Sequence, residues 1–143
     1  IAAACDKVQG QFTSATCSIT QRATIAAMNA DPSVLKEMIA AFESRRNLVL
    51  SGLRNIPGLK VNNPEGAFYV FPDCSSYFGK TYNGQTISNS DDLCMYLLEV
   101  ALVACVGGAA FGDPNCFRIS YAASEETLQK AVDRIANALG QLQ

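Results

Sequence analysis

Apolar positions follow two periodicities along this chain. Leu35, Met38, Ile39, Phe42, Val49, Leu50 and Leu53 recur at helical spacing, a stripe broken once by Arg46. Asp31-Pro32 supplies a start signal, with Asp as N-cap and Pro in the first turn, and Ile56-Pro57-Gly58 a stop. The predicted helix of about 22 residues exceeds the usual globular mean of about 11 to 12. Before it, Ser18-Ile19-Thr20-Gln21 has the form of a capping box and opens a helix through Ala30. Gln9 to Thr16 reads as a polar loop, and Ile1-Ala2-Ala3-Ala4-Cys5 as the interior of an element already under way.

The period then changes. A short strand at Leu59 to Val61 meets the turn Asn62-Asn63-Pro64-Glu65-Gly66, and the apolar run Ala67-Phe68-Tyr69-Val70-Phe71 predicts a strand buried on both faces. Pro72 to Asn89 is a polar excursion with a turn signal at Asn83-Gly84. Ser90-Asp91-Asp92 caps a helix whose inner face carries Leu93, Leu97 and Val100. Next come a strand from Leu102 to Val106, a glycine-rich loop from Gly107 to Gly112, and the strand Cys116-Phe117-Arg118-Ile119-Ser120-Tyr121. Ser124-Glu125-Glu126 caps a last helix, striped by Leu128, Ala131, Val132, Ile135 and Leu139 and closed by Gly140. The order α-α-β-β-α-β-β-α, without internal repeat, predicts an α/β fold: a small mixed sheet covered by helices, preceded by a long connecting helix.

Composition narrows the function. At 143 residues, 49% hydrophobic and 17% charged, the chain can bury one sizeable core. A net charge of −2 gives no basic footprint for nucleic acid. No apolar run reaches the roughly 18 residues of a membrane span. Six cysteines are irregularly spaced with no C-x-x-C, which favours reduced thiols and a cytoplasmic protein over a disulfide framework. There is no histidine, which removes Ser-His-Asp and Cys-His nucleophiles and His-containing zinc sites. The first residue is Ile1, and the absence of a basic, apolar leader suggests a piece of a longer protein.

Arg118 is the residue with most to say. A guanidinium in an apolar strand is costly unless an anion meets it, and no neighbour in its run is acidic. It is either structural, reaching water or pairing with Glu65 or Asp113, or it receives a ligand carboxylate in the two-pronged geometry suited to its fork. The glycine loop lacks G-x-G-x-x-G spacing and does not open a helix, so it is no phosphate cradle. Phe68 and Tyr69 are expected on opposite strand faces, as core unless the sheet edge lines a cleft. None of Lys7, Lys36, Lys60, Lys80 and Lys130 has the desolvated setting of a Schiff-base lysine. Glu125-Glu126 reads as helix-start charge.

Asn63-Pro64-Glu65-Gly66-Ala67-Phe68-Tyr69, Ser90-Asp91-Asp92-Leu93, Val106 to Gly112 and Phe117-Arg118-Ile119-Ser120-Tyr121-Ala122 together resemble, in order and spacing, the C-terminal portion of class I pyridoxal-phosphate aminotransferases of the bacterial aspartate type. The resemblance covers essentially the whole chain. It implies that residues 1–17 are the tail of the large cofactor domain, 18–55 the interdomain connecting helices, and 56–143 the small C-terminal domain. It implies that Arg118 grips the substrate α-carboxylate and that Phe68 lines the substrate cleft. Thr13 and Ser14 match a loop that approaches the partner subunit's active site in a homodimer. Gly107 stands where many members carry Pro, which should loosen the loop. The implied substrates are amino acid and 2-oxo acid pairs, aspartate and 2-oxoglutarate first, with pyridoxal 5'-phosphate as cofactor. The Schiff-base lysine and most cofactor ligands fall upstream, so this segment alone should bind no cofactor and be inactive. A cation for a second substrate carboxylate is not evident. The rival reading is a non-enzymatic module for amino-acid binding or assembly, which the same Arg and Gly loop could serve.

Overall fold

A computed structural model describes all 143 residues, which fall into two units, 1–37 and 38–143. In the first, α1 spans Ala2–Phe12 and α2 spans Ser18–Met28. The polar loop therefore begins at Thr13 rather than Gln9, because the good helix formers Ala2-Ala3-Ala4 open a helix that continues through Gly10. The capping box does not form. Cys17 takes the N-cap place, so Ser18 already lies inside the first turn, and the Gln21 side chain donates instead to the Thr16 carbonyl at 2.6 Å. Asp31 does cap: its Oδ1 accepts from the Ser33 N–H at 2.9 Å, ahead of a 3₁₀ turn at Pro32–Leu35. No residue of α1, α2 or that turn is buried.

The helix α3, Lys36–Arg54, runs into the second unit. The apolar stripe meets the core only from Phe42 onward. Val49, Leu50 and Leu53 are at most 2% exposed, whereas Met38 and Ile39 are 52% and 58% exposed. Gly52 lies where α3 meets the helix α5 (Glu125–Leu139), and a Cβ there would collide with Val132. That close approach offsets the cost of a mid-helix glycine.

Strands are shorter than the apolar runs predict. Leu59 to Val61 contributes a single bridge, Lys60 to Asp73. β1 is Tyr69–Val70, because Ala67 sits at φ 59° and turns the chain just before it. Asn83 and Gly84, both at positive φ, form the tight turn of a hairpin, β2 (Thr81–Tyr82) with β3 (Gln85–Thr86). The helix α4, Ser90–Tyr96, is capped by Asn89, whose side chain accepts from Asp92 N–H at 2.9 Å. The cap falls one residue before Ser90, which is itself buried. A wider π turn, Leu97–Ala101, follows and ends at Leu102 in the left-handed region. β4 is Val106–Gly107, overlapping the predicted stretch only at Val106, and β5 is Phe117–Ser120.

Three strands form an antiparallel sheet in the order β1-β5-β4. Tyr69 pairs with Ser120 and Val70 with Ile119, while Val106 pairs with Arg118 and Gly107 with Phe117. The inward face, Val70, Phe117 and Ile119, packs with Leu93 and Leu97, with Val49 and Leu53 of α3, and with Leu128 and Ile135 of α5. Ser124 caps α5 through the Thr127 N–H at 3.2 Å. Tyr96 ties α4 to the end of α5 by donating to the Ala138 carbonyl at 2.7 Å. No helix is long and apolar enough to cross a membrane.

The burial gradient along α3 is testable. Leu53→Ala should destabilise this segment by about 2–5 kcal/mol, while Met38→Ala on the same helix should change it by under about 0.5 kcal/mol. Urea unfolding of both variants checks this, and equal costs would contradict the gradient.

Candidate functional site

The alternation of β5 decides where the charge goes. Phe117 and Ile119 face the core, so Arg118 and Ser120 face the other side. Tyr69, paired with Ser120, shares the Arg118 face. The Arg118 guanidinium carbon lies 4.4 Å from the Tyr69 ring centroid and 4.1 Å from that of Phe111. Neither expected acid meets it. Asp113 is occupied, accepting from Asn115 N–H at 2.9 Å and from the Cys116 thiol at 3.4 Å. The ion pairs are Arg46–Glu43, Lys60–Asp73 and Lys130–Glu126, so Glu65 is not a partner either. Half-buried, with aromatic rings against it and no protein carboxylate, Arg118 keeps its N–H edge free for an anion.

Phe111 reaches this place through the glycine loop. The backbone N–H of Gly108 donates to the Cys116 carbonyl at 2.8 Å and to Ser90 Oγ at 3.3 Å. A Cβ at Gly108 would strike the carbonyl oxygens of Asp113 and Cys116. Phe111 closes the 3₁₀ turn Ala109–Phe111, its N–H donating to the Gly108 carbonyl at 2.8 Å. Gly107 and Gly108 are both buried and closely packed, so glycine at 107 does not leave the loop loose.

Phe68 precedes the sheet rather than lying in it, and is 41% exposed. Its ring meets Tyr69 at 4.3 Å and Phe42 of α3 at 6.3 Å, so Phe68 and Tyr69 are not simply opposed across a pleat. Tyr121 pins the turn below them: its N–H donates to the Phe68 carbonyl at 2.9 Å and its hydroxyl to the Ala67 carbonyl at 3.0 Å. Phe68 and Arg118 thus flank the same Tyr69. The roles of Tyr69 and Phe111 escape sequence reasoning, because both look like ordinary apolar residues. The available signal was the bare cation itself, which needs planar faces if it has no acid.

Thr13 and Ser14 belong to the first unit. Thr13 ends α1, its hydroxyl donating to the Gln9 carbonyl at 3.1 Å, and Ser14 holds a left-handed φ of 59°. Both are exposed.

None of the five lysines is buried, and Lys60 and Lys130 hold ion pairs. No lysine here has the apolar pocket that a covalent aldehyde anchor needs. No group of three or more Cys, Asp and Glu is placed to hold a metal ion. The six cysteines are all free thiols and divide by setting. Burial first, then neighbouring thiols, pushes Cys74 up to about 12, and burial likewise pushes Cys105 up to about 12 and Cys94 up to about 11. Burial and the nearby Asp113 carboxylate push Cys116 up to about 11. The exposed Cys17 moves the other way: the backbone N–H of Thr20 and then of Ile19, at the start of α2, face its sulfur and lower it, without closing a capping hydrogen bond.

Residues 1–135 match the family model for class I and II aminotransferases, and the chain belongs to that family. It is 49% identical over 141 residues to the bifunctional aspartate aminotransferase and glutamate/aspartate-prephenate aminotransferase of Petunia hybrida, covering 96% of this chain and 29% of that protein. The crystal structure of the aspartate aminotransferase from Rhizobium meliloti superposes with a TM-score of 0.87 at 47% identity, over 95% of this chain and 34% of that one. The aromatic aminotransferase from Pyrococcus horikoshii OT3 does so with a TM-score of 0.78 at 30% identity, over 94% and 34%. The chain spans about a third of the length of the relatives it matches.

The thiol settings predict a labelling order. Near neutral pH an alkylating reagent should modify Cys17 first and Cys5 next, leaving Cys74, Cys94, Cys105 and Cys116 until the segment unfolds. Because folding raises those four thiols, their contribution to stability is full below the ordinary value of 9.0 and is lost as pH climbs toward about 11 to 12. Mass-resolved labelling checks the order, and native-state modification of Cys74 as fast as Cys5 would contradict it.

Proposed function

We propose that this chain is the substrate-binding portion of a pyridoxal-phosphate-dependent aminotransferase, and that Arg118 takes the α-carboxylate of the amino acid and 2-oxo acid. One observation carries the reading: a half-buried guanidinium, fixed on the central strand, with no protein anion. Similarity to relatives named for aspartate, prephenate and aromatic substrates supports it, because the α-carboxylate is what such substrates share. Relatives named for aspartate favour aspartate with 2-oxoglutarate here. The exposed Phe68 ring, beside Tyr69, forms part of the cleft wall against the substrate.

The cofactor, when bound, supplies an electron sink for the amino-group transfer. The lysines described above do not fit its covalent anchor, so that group belongs elsewhere in the full-length enzyme, and this segment alone is inactive. Its own residues bind and orient the substrate. We assign residues 1–17 to the tail of the cofactor domain, 18–55 to the connecting helices and 56–143 to the small domain. Thr13 and Ser14 are assigned to the loop meeting the other subunit of a homodimer, a reading supported by the exposed Phe12 and Ile19 on either side. The free thiols fit a cytoplasmic enzyme.

In the full-length enzyme, Arg118→Lys should lower kcat/KM by roughly 30- to 150-fold, about 2–3 kcal/mol, because an ammonium cannot reproduce the two-pronged contact. Steady-state kinetics with aspartate and 2-oxoglutarate measure it. Unaltered kcat/KM would end the assignment of Arg118.

A further inference from the structure

We propose that Tyr69 and Phe111 are paired positioning residues that hold the Arg118 guanidinium from two sides, so that it presents its N–H edge in one fixed orientation. This rests on reading Arg118 as the carboxylate-binding residue. Tyr69 comes from β1 and Phe111 from the turn after β4, and the sheet order β1-β5-β4 puts these elements on either side of β5. The centroid distances of 4.4 Å and 4.1 Å are those of rings in contact with the cation. Their other close ring contacts are with different partners, Tyr69 with Phe68 and Phe111 with Phe71 at 6.4 Å. The two rings therefore reach the guanidinium separately, from elements on opposite sides of β5.

A planar guanidinium has two faces without hydrogen-bond donors and an edge that carries all five N–H groups. Rings on the faces satisfy what no acid satisfies here and leave the edge to the ligand. They also restrict a long side chain that would otherwise sample many rotamers in a half-open site. Each ring is braced in turn. Phe71 meets Phe111 edge-on at 88°, and Phe68 backs Tyr69. Phe111 is held on the pinned Gly108 turn, yet is itself 47% exposed, so its burial in the core does not explain its place.

The test uses the full-length enzyme carrying this segment and, as probe, succinate, which is aspartate without its amino group. Phe111→Leu and Tyr69→Leu remove the π face but keep apolar bulk. Each should weaken succinate binding by calorimetry roughly 5- to 10-fold, the loss of one cation–π contact. KM for aspartate should rise more than kcat falls, with the thermal midpoint little changed. Phe111→Tyr and Tyr69→Phe should restore affinity. In an Arg118→Lys background, Phe111→Leu should cost less than about twofold more, since the planar fork whose edge it orients is gone. If Arg118→Lys weakens succinate binding but both Leu variants bind within twofold of the native enzyme, the clamp is overturned while the carboxylate site stands. If the Leu variants lose affinity only together with thermal stability, and the aromatic replacements do not recover it, the rings are merely structural and the clamp is likewise overturned. If Arg118→Lys binds succinate as the native enzyme does, the underlying assignment of Arg118 falls and the clamp with it.

Discussion

The second unit depends on one strand with two faces. β5 sits in the centre of a three-stranded sheet, and its side chains must alternate. Phe117 and Ile119, at 0% and 7% exposure, join the core, and burying side chains of that size stabilises by about 1.5–3 kcal/mol each. The same pairing with Val106 and Val70 turns Arg118 outward, toward Tyr69 and Phe111. A slip of one residue would drive the guanidinium into the core and two large apolar side chains out of it. Register is therefore set by the hydrophobic effect, and the position of the cation follows from register.

Magnitudes explain why the cation can stay there without an acid. A fully buried, unpaired charge costs far more than any ring contact returns. A cation–π contact contributes about 0.5–1 kcal/mol where exposed and about 2 where desolvated. Two such contacts can offset partial desolvation but not complete burial. Arg118 is only half-buried, which keeps the balance on the favourable side. An internal carboxylate would bind the cation more strongly, and would then occupy the same N–H groups. Stacking stabilises the side chain without using its donors.

Local chemistry was readable from the sequence wherever neighbours in the chain decide the outcome. Asp31, Ser124 and the Asn83-Gly84 turn act as their residue types predict, since each needs only groups within three residues. Ser18 did not, because competition over which residue starts α2 was settled in favour of Cys17. The strand ends were misplaced for a different reason: Ala67 and Leu102 adopt left-handed backbone that no alanine or leucine advertises. At Ala67 the turn is held by Tyr121, 54 residues away. Arg118 itself stood out in the sequence, as a charge among apolar residues. Its companions did not, because Tyr69 and Phe111 acquire meaning only once β1, β5 and the Gly108 turn are assembled.

The first unit obeys a different balance. α1 and α2 have 11 residues each, shorter than the roughly 12–15 at which isolated helices become even marginally stable in water. Neither buries a residue, while Phe12, Ile19 and Met28 are 85%, 79% and 81% exposed. Scattered apolar side chains on a surface are ordinary, but helices with no buried face have no packing term to hold them. Alanine-rich composition and a few backbone caps contribute only tenths of a kcal/mol per residue. Within their own unit these two helices therefore rest on propensity and backbone caps alone. The arrangement around Arg118 on β5 differs, because its strands and the helices packed on them share a core of their own.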